Sequence, residues 1–158
     1  MKTNSGKKGE GMPVVRNPQF YFREGFCWNL INGTRSENDL KFKFCSPCVN
    51  DVGSMKLCSY SDKISSKFLI CIGNSDFASR YTEAYVNFTV NFQVNDCRQI
   101  PIVIPDSEQL KAFETLFEQA YAIKKKQFQN KITSAKAEEE LSVLQQKLDK
   151  MVYSLYAI

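Results

Sequence analysis

The sequence predicts an α+β fold: a mixed β-sheet domain with short helices, followed by a C-terminal antiparallel helical hairpin of coiled-coil character. Three observations predict it. Between Val14 and Pro105, short aromatic-rich or alternating runs are separated by turn-forming residues, the pattern of short strands and helices in a compact domain. After Pro105 neither Gly nor Pro occurs, and apolar residues recur at spacings of three and four. Halfway along that tail, Asn130-Lys131-Ile132-Thr133-Ser134 interrupts the helical pattern with polar and β-branched residues. A chain of 158 residues, 43% hydrophobic and 24% charged, suits one globular unit with a single core.

Residues 1–12, MKTNSGKKGEGM, have no periodic apolar pattern and are expected to be a flexible leader or simply the edge of the chain. The main domain is expected over 13–105. Within it, VVRNPQFYFREGFCWNLIN contains two aromatic-rich segments joined at Arg23-Glu24-Gly25, a hairpin-type turn signal. Asn32-Gly33 opens a polar surface loop, NGTRSENDL, and LKFKF (40–44) alternates as a half-buried strand does. KFLICIGN (67–74) is a short apolar run compatible with a buried strand or a buried helix. Alternation through Val90, Phe92 and Val94 predicts a further strand, turning at Asn95-Asp96 and leaving the sheet at Pro101.

The hairpin is expected over 106–158, packing on this domain or on a partner domain. Asp106 with Gln109 three residues on matches a capping box. Leu110, Phe113, Phe117 and Ala120 supply an apolar face for the first helix, and Ala137, Leu141, Leu144, Leu148, Met151 and Leu155 form an a/d seam on the second. Thr133 or Ser134 can cap that second helix.

Composition excludes several chemistries. Histidine is absent, so neither a Cys-His or Ser-His nucleophile pair nor a His-ligated metal is available in this chain. No Gly-rich phosphate loop, zinc-protease pair or nucleophile elbow occurs, and the carboxylate run Glu138-Glu139-Glu140 reads as a solvated helical turn. The chain on its own is therefore not expected to be an enzyme. No apolar run approaches the roughly 20 residues needed to cross a bilayer, so no membrane association and a cytoplasmic location are expected. The six cysteines read as free thiols. Cys45-Ser-Pro-Cys48 with Cys58 and Cys71 could be counted as a four-thiolate zinc site, although the second half lacks a matching pair, and no metal site is assigned. The net charge of +4 is uneven: residues 1–16 hold four basic and one acidic side chain, so charge alone says little about nucleic acid.

Four segments together carry a resemblance. NPQFYFREGFCWNLI (17–31), KFLICIGNSDF (67–77), NFTVNFQVNDCRQIPI (87–102) and LDKMVYSLYAI (148–158) occur in one order along the chain. In that order they resemble the TaqI-like C-terminal target-recognition, or specificity, domain of type II restriction-modification and phage-exclusion adenine-N6 DNA methyltransferases. The most specific piece is NFQVNDCRQIPI. Such enzymes carry an Asn-Pro-Pro-Tyr motif and a glycine-containing cofactor loop upstream, and neither is present; Asn17-Pro18 is followed by Gln19-Phe20.

The resemblance implies a DNA-binding specificity module that lacks the catalytic domain. Its partners would be double-stranded DNA and a methyltransferase catalytic domain, in cis or in trans, and S-adenosylmethionine would bind that domain and not this chain. Base readout and phosphate contact need Arg, Lys, Asn or Gln on accessible segments. The candidate DNA-binding residues are Asn32, Arg35, Asn38, Lys41 and Lys43 in the loop and strand, with Arg23, Lys56 and Arg80 as phosphate partners. Two other readings stay open: a specificity-subunit-like protein whose hairpin docks a separate methyltransferase, and a zinc-stabilised interaction module.

Overall fold

A computed structural model of the chain describes residues 18–29, 41–50, 54–87, 89 and 91–158. The expected leader over 1–12 and the polar loop NGTRSENDL lie outside the described residues. The architecture is α+β, with a small antiparallel sheet and a C-terminal helical region.

Three strands form the sheet: β1 (Gly25–Asn29), β2 (Lys43–Cys45) and β3 (Ser54–Leu57), in the order β2-β1-β3. β1 is therefore central, paired antiparallel on both sides, with Phe26 opposite Phe44 and Leu57. This corrects the hairpin expected at Arg23-Glu24-Gly25. Pro18–Phe20 forms a 3-10 turn and not a strand, and Gly25 is the first residue of β1. Both partners of β1 come from later in the chain. Gly25 has a packing reason to be glycine: a Cβ there would lie 2.2 Å from the Leu57 carbonyl oxygen.

The run at 67–74 resolves as helix α1 (Ser66–Gly73). Ser65 caps it, its side chain accepting from the Phe68 N–H, and the apolar run is buried on nearly every side, which explains why it lacks a one-sided period. α2 (Asp76–Tyr81), capped by Ser75, follows at once and runs into a π turn at Thr82–Val86.

The strand expected through Val90, Phe92 and Val94 is not formed by the described residues. Instead Val94–Cys97 makes a short helix, α3. The polar residues read as a turn hold this helix start: an Asp96 carboxylate oxygen accepts from the Gln93 N–H at 2.8 Å and from the Asn87 side-chain amide at 2.8 Å. Phe92, fully buried, is a plug and not one rung of a ladder; its carbonyl accepts from the Trp28 indole N–H at 2.8 Å.

The hairpin consists of α4 (Ser107–Phe128) and α5 (Ser134–Tyr156). Asp106 and Gln109 exchange side chain–backbone bonds of 2.8 and 2.9 Å, the reciprocal capping box. Asn130 turns the chain with φ of 55°, and Thr133 caps α5 through the Lys136 N–H. Glu138, Glu139 and Glu140 fall in the second turn of α5. Phe113, Leu116, Leu148 and Val152 join Phe26, Trp28, Phe42, Phe68, Ile72 and Phe92 in one buried cluster. The hairpin thus supplies one wall of the core, and the sheet with α1 supplies the other.

Candidate functional site

Alternation along the strands sorts the sheet into two faces. Phe26, Trp28, Phe44, Met55 and Leu57 face the core. Gly25, Cys27 and Asn29 of β1, Lys43 and Cys45 of β2, and Ser54 and Lys56 of β3 lie on the other face, where Gly25 and Cys45 are buried and Asn29 and Lys43 are exposed. The register aligns Lys43, Cys27 and Lys56 in one row across the three strands, because Cys27 is paired with Lys43 on one side and with Lys56 on the other. Lys41 precedes Lys43 by two residues and is exposed, as is Lys43. The outer face therefore carries lysines on both sides of a small central side chain.

The two sequence-predicted cations nearest one edge are tied into that edge. Lys56 Nζ donates to the Arg23 carbonyl at 2.6 Å and to the Cys48 carbonyl at 3.4 Å, bridging the segment before β1 and the loop after β2. Its ammonium satisfies backbone acceptors as well as contributing charge. The Arg23 guanidinium lies 4.9 Å over the ring of Tyr60, and Phe20 meets the same ring edge-on at 5.9 Å. Phe20, Phe22 and Tyr60 are all exposed, giving an aromatic margin beside the basic face. Sequence reasoning named Arg23 but missed this margin; the aromatic residues flanking Arg23 in QFYFREGF were the available signal.

Arg80 stands elsewhere. It lies on α2, whose packing partners are α1, α5 and the π turn, and its Nε is 2.8 Å from Asp76. Asp76 also accepts from the Tyr153 hydroxyl at 2.6 Å. That bond, then Arg80, holds the Asp76 carboxyl below its ordinary range, and the same bond raises the Tyr153 phenol. Asn32, Arg35 and Asn38 lie outside the described residues. The structure thus groups Arg23, Lys41, Lys43 and Lys56 around the sheet and separates Arg80 from them.

The thiols divide by environment. Cys71 and Cys97 are buried, and burial pushes each up to about 12. Cys71 Sγ points at the Phe113 carbonyl in the core. Cys45 Sγ and Cys48 Sγ are 3.3 Å apart, and the Asn50 side-chain oxygen accepts from both. The four-thiolate set of Cys45, Cys48, Cys58 and Cys71 is not assembled; among the described residues no three Cys, Asp or Glu side chains are grouped to hold a metal ion. A cavity of about 170 Å³ lies between the sheet, α1 and the segment around α3, lined mostly by apolar residues, with Arg98, Cys58 and Cys97 also among its lining residues.

No helix among the described residues is long and apolar enough to cross a membrane. No family model matches the chain, and no curated protein matches it.

Proposed function

We propose that the protein is a DNA target-recognition module that positions duplex DNA for an adenine-N6 methyltransferase domain and leaves methyl transfer to that domain. The observation that carries the proposal is the row of Lys43 and Lys56 across the outer face of the sheet, extended by Lys41. Lysines two strands apart stand roughly 10 Å from each other, so the exposed Lys43 reaches a phosphate while Lys56, held on the Arg23 and Cys48 carbonyls, adds positive charge beside it. Phosphate contacts of this kind fix register and supply sequence-independent affinity. Arg23, already stacked on Tyr60, loses little freedom on meeting a phosphate or a base edge. The resemblance of 87–102 and 17–31 to the TaqI-like specificity domains supports a place beside a catalytic domain, where S-adenosylmethionine would bind and into which the target adenine would be flipped out of the duplex.

Fluorescence anisotropy with a labelled duplex tests this. Affinity is expected to fall steeply with salt, and Lys41→Ala and Lys43→Ala each to lower the slope of log K against log salt by about one. Binding that ignores salt, or no binding at low salt, would overturn the proposal.

A second reading, in which the hairpin docks a separate methyltransferase, is supported by Phe128 at the hairpin tip and Val143 on α5, both large, apolar and exposed. Gel filtration with a catalytic domain added in trans separates the two readings. Docking predicts co-elution that Val143→Asp abolishes while duplex affinity is unchanged.

A further inference from the structure

We propose that Cys45 and Cys48 form a thiol–disulfide exchange site, which takes a small disulfide of the glutathione class as oxidant and closes to a Cys45–Cys48 disulfide. This inference is independent of the nucleic-acid reading. Cys45 ends β2, opposite Gly25, and is buried; Cys48 stands three residues on and is exposed. The two sulfurs are 3.3 Å apart, against about 2.05 Å in a disulfide, so closure needs a shift of little more than an ångström. Gly25 presents no side chain beside Cys45.

The loop is held ready for closure. The Cys48 carbonyl accepts from the Phe22 N–H at 3.3 Å and from Lys56 Nζ at 3.4 Å, which fixes the backbone that carries the outer thiol. Asn50 receives both sulfurs on its side-chain oxygen and donates to Ser54 Oγ at 3.0 Å, so the pair is oriented by a residue anchored to β3. Between the two cysteines, Pro47 limits the loop's unfolded freedom and lowers the entropic cost of a ring this small. The bond with Cys45, with desolvation and the neighbouring Cys45 adding to it, raises the Cys48 thiol above the usual range, and the Lys56 charge offsets only a small part of that rise. Cys71 and Cys97, buried in the core, have no such access.

The exchange balances in two steps. The Cys48 thiolate attacks one sulfur of the small disulfide, forming a mixed disulfide and releasing one small thiolate, which takes up a proton. Cys45 then gives its proton to solvent, and its thiolate attacks the Cys48 sulfur. The bond to the second small thiol breaks, and that thiol leaves. Two protein thiols are oxidised by two electrons, and one small disulfide becomes two thiols. The exposed cysteine enters and the buried one resolves.

Incubation of the full chain with glutathione disulfide, followed by intact-mass and peptide mapping, tests the assignment. The wild type is expected to lose two hydrogens and yield a Cys45–Cys48 linked peptide, with no lasting glutathione adduct. Cys45→Ser is expected to stop at a glutathione adduct on Cys48, and Cys48→Ser to react at least about 10-fold more slowly than the wild type. Far-UV circular dichroism of each variant reports whether the fold persists, and the wild-type mapping stands whatever the variants do. A wild-type chain in which Cys48 stays a free thiol, keeps its adduct, or pairs with another cysteine overturns the proposal.

Discussion

The side chain of Asn74 pairs with the backbone of Phe42 in both directions: its oxygen accepts from the Phe42 N–H at 2.7 Å, and its amide donates to the Phe42 carbonyl at 2.9 Å. A single amide thereby imitates a strand partner at the entrance to β2 and clamps the sheet to the end of α1. Asn74→Ala removes both bonds and takes from the partly buried Phe42 backbone its side-chain partner. The expected loss is about 2–3 kcal/mol in urea unfolding, above the net worth of two ordinary hydrogen bonds because desolvated groups lose their partner. A loss below about 1 kcal/mol would mean that water replaces the amide.

Gly73, the neighbouring residue, gives a case where two effects oppose and magnitude decides. Alanine in a helix is favoured over glycine by about 1 kcal/mol. A Cβ at this position would, however, lie 1.8 Å from Cδ2 and 1.9 Å from Cε2 of Phe42. Phe42 cannot swing aside, since its ring is packed against Phe26, Trp28 and Phe92. Gly73→Ala is therefore expected to destabilise by about 2 kcal/mol or more despite its better propensity. The double variant with Phe42→Ala is expected to be less damaging than the sum of the two single changes, the sign of a direct clash in a double-mutant cycle.

These two residues also mark the limit of what the sequence reveals. The hairpin was legible because its signals are local: Asp106 with Gln109, Thr133 at a helix start, and Leu144, Leu148 and Met151 on one seam. The sheet was less so. LKFKF alternates as expected, with Phe42 buried and Lys41 and Lys43 exposed, but the central place of β1 depends on partners 16 or more residues away, since Cys27 pairs with Lys43 and with Lys56. Phe92 reads as a strand residue because a plug fixed by a long-range bond from Trp28 and a strand residue look alike over five positions. The candidate site follows the same rule. Composition points to which side chains are cationic, but register decides that Lys43 and Lys56 share a face, while Arg80 stands on α2, outside the sheet.

Stability is expected to depend on pH through Asp76. Tyr153, and secondarily Arg80, hold the folded carboxyl below its unfolded value of about 3.9, so the contribution is fully present above that value. It is lost as pH falls through the lower folded value. Tyr153 runs the other way: its folded phenol is raised by the same bond, so its share is present below about pH 10 and lost as pH rises through the folded value. Asp76 is partly solvated, and Arg80 largely so, which limits the effect to about 1 kcal/mol. Asp76→Asn is expected to flatten the acid limb of a plot of stability against pH, and Tyr153→Phe to flatten both limbs. An unchanged acid limb in Asp76→Asn would place the acid sensitivity elsewhere.

A chain ending at Pro105 is expected not to fold. Such a truncation removes Phe113, Leu116, Leu148 and Val152, each buried, from a cluster that also contains Phe68 and Trp28. Phe68 would lose its edge-to-face partner Phe113, 5.2 Å away, and Phe44 would lose Phe117 and Tyr121. Deleting one large core side chain typically costs about 2–5 kcal/mol, so losing four at once costs on the order of the entire 5–15 kcal/mol that a whole domain holds. Near-UV circular dichroism around Trp28 reads the result directly: the indole is rigidly buried in the full chain, and its signal should vanish in residues 1–105. Val152→Asp, which leaves the chain length intact and places one charge in the same wall, is expected to give a cooperative transition shifted down by several kcal/mol or none. Retention of the tryptophan signal and of a cooperative transition in residues 1–105 would show that the sheet and α1 have a core of their own, with the helices an added connector.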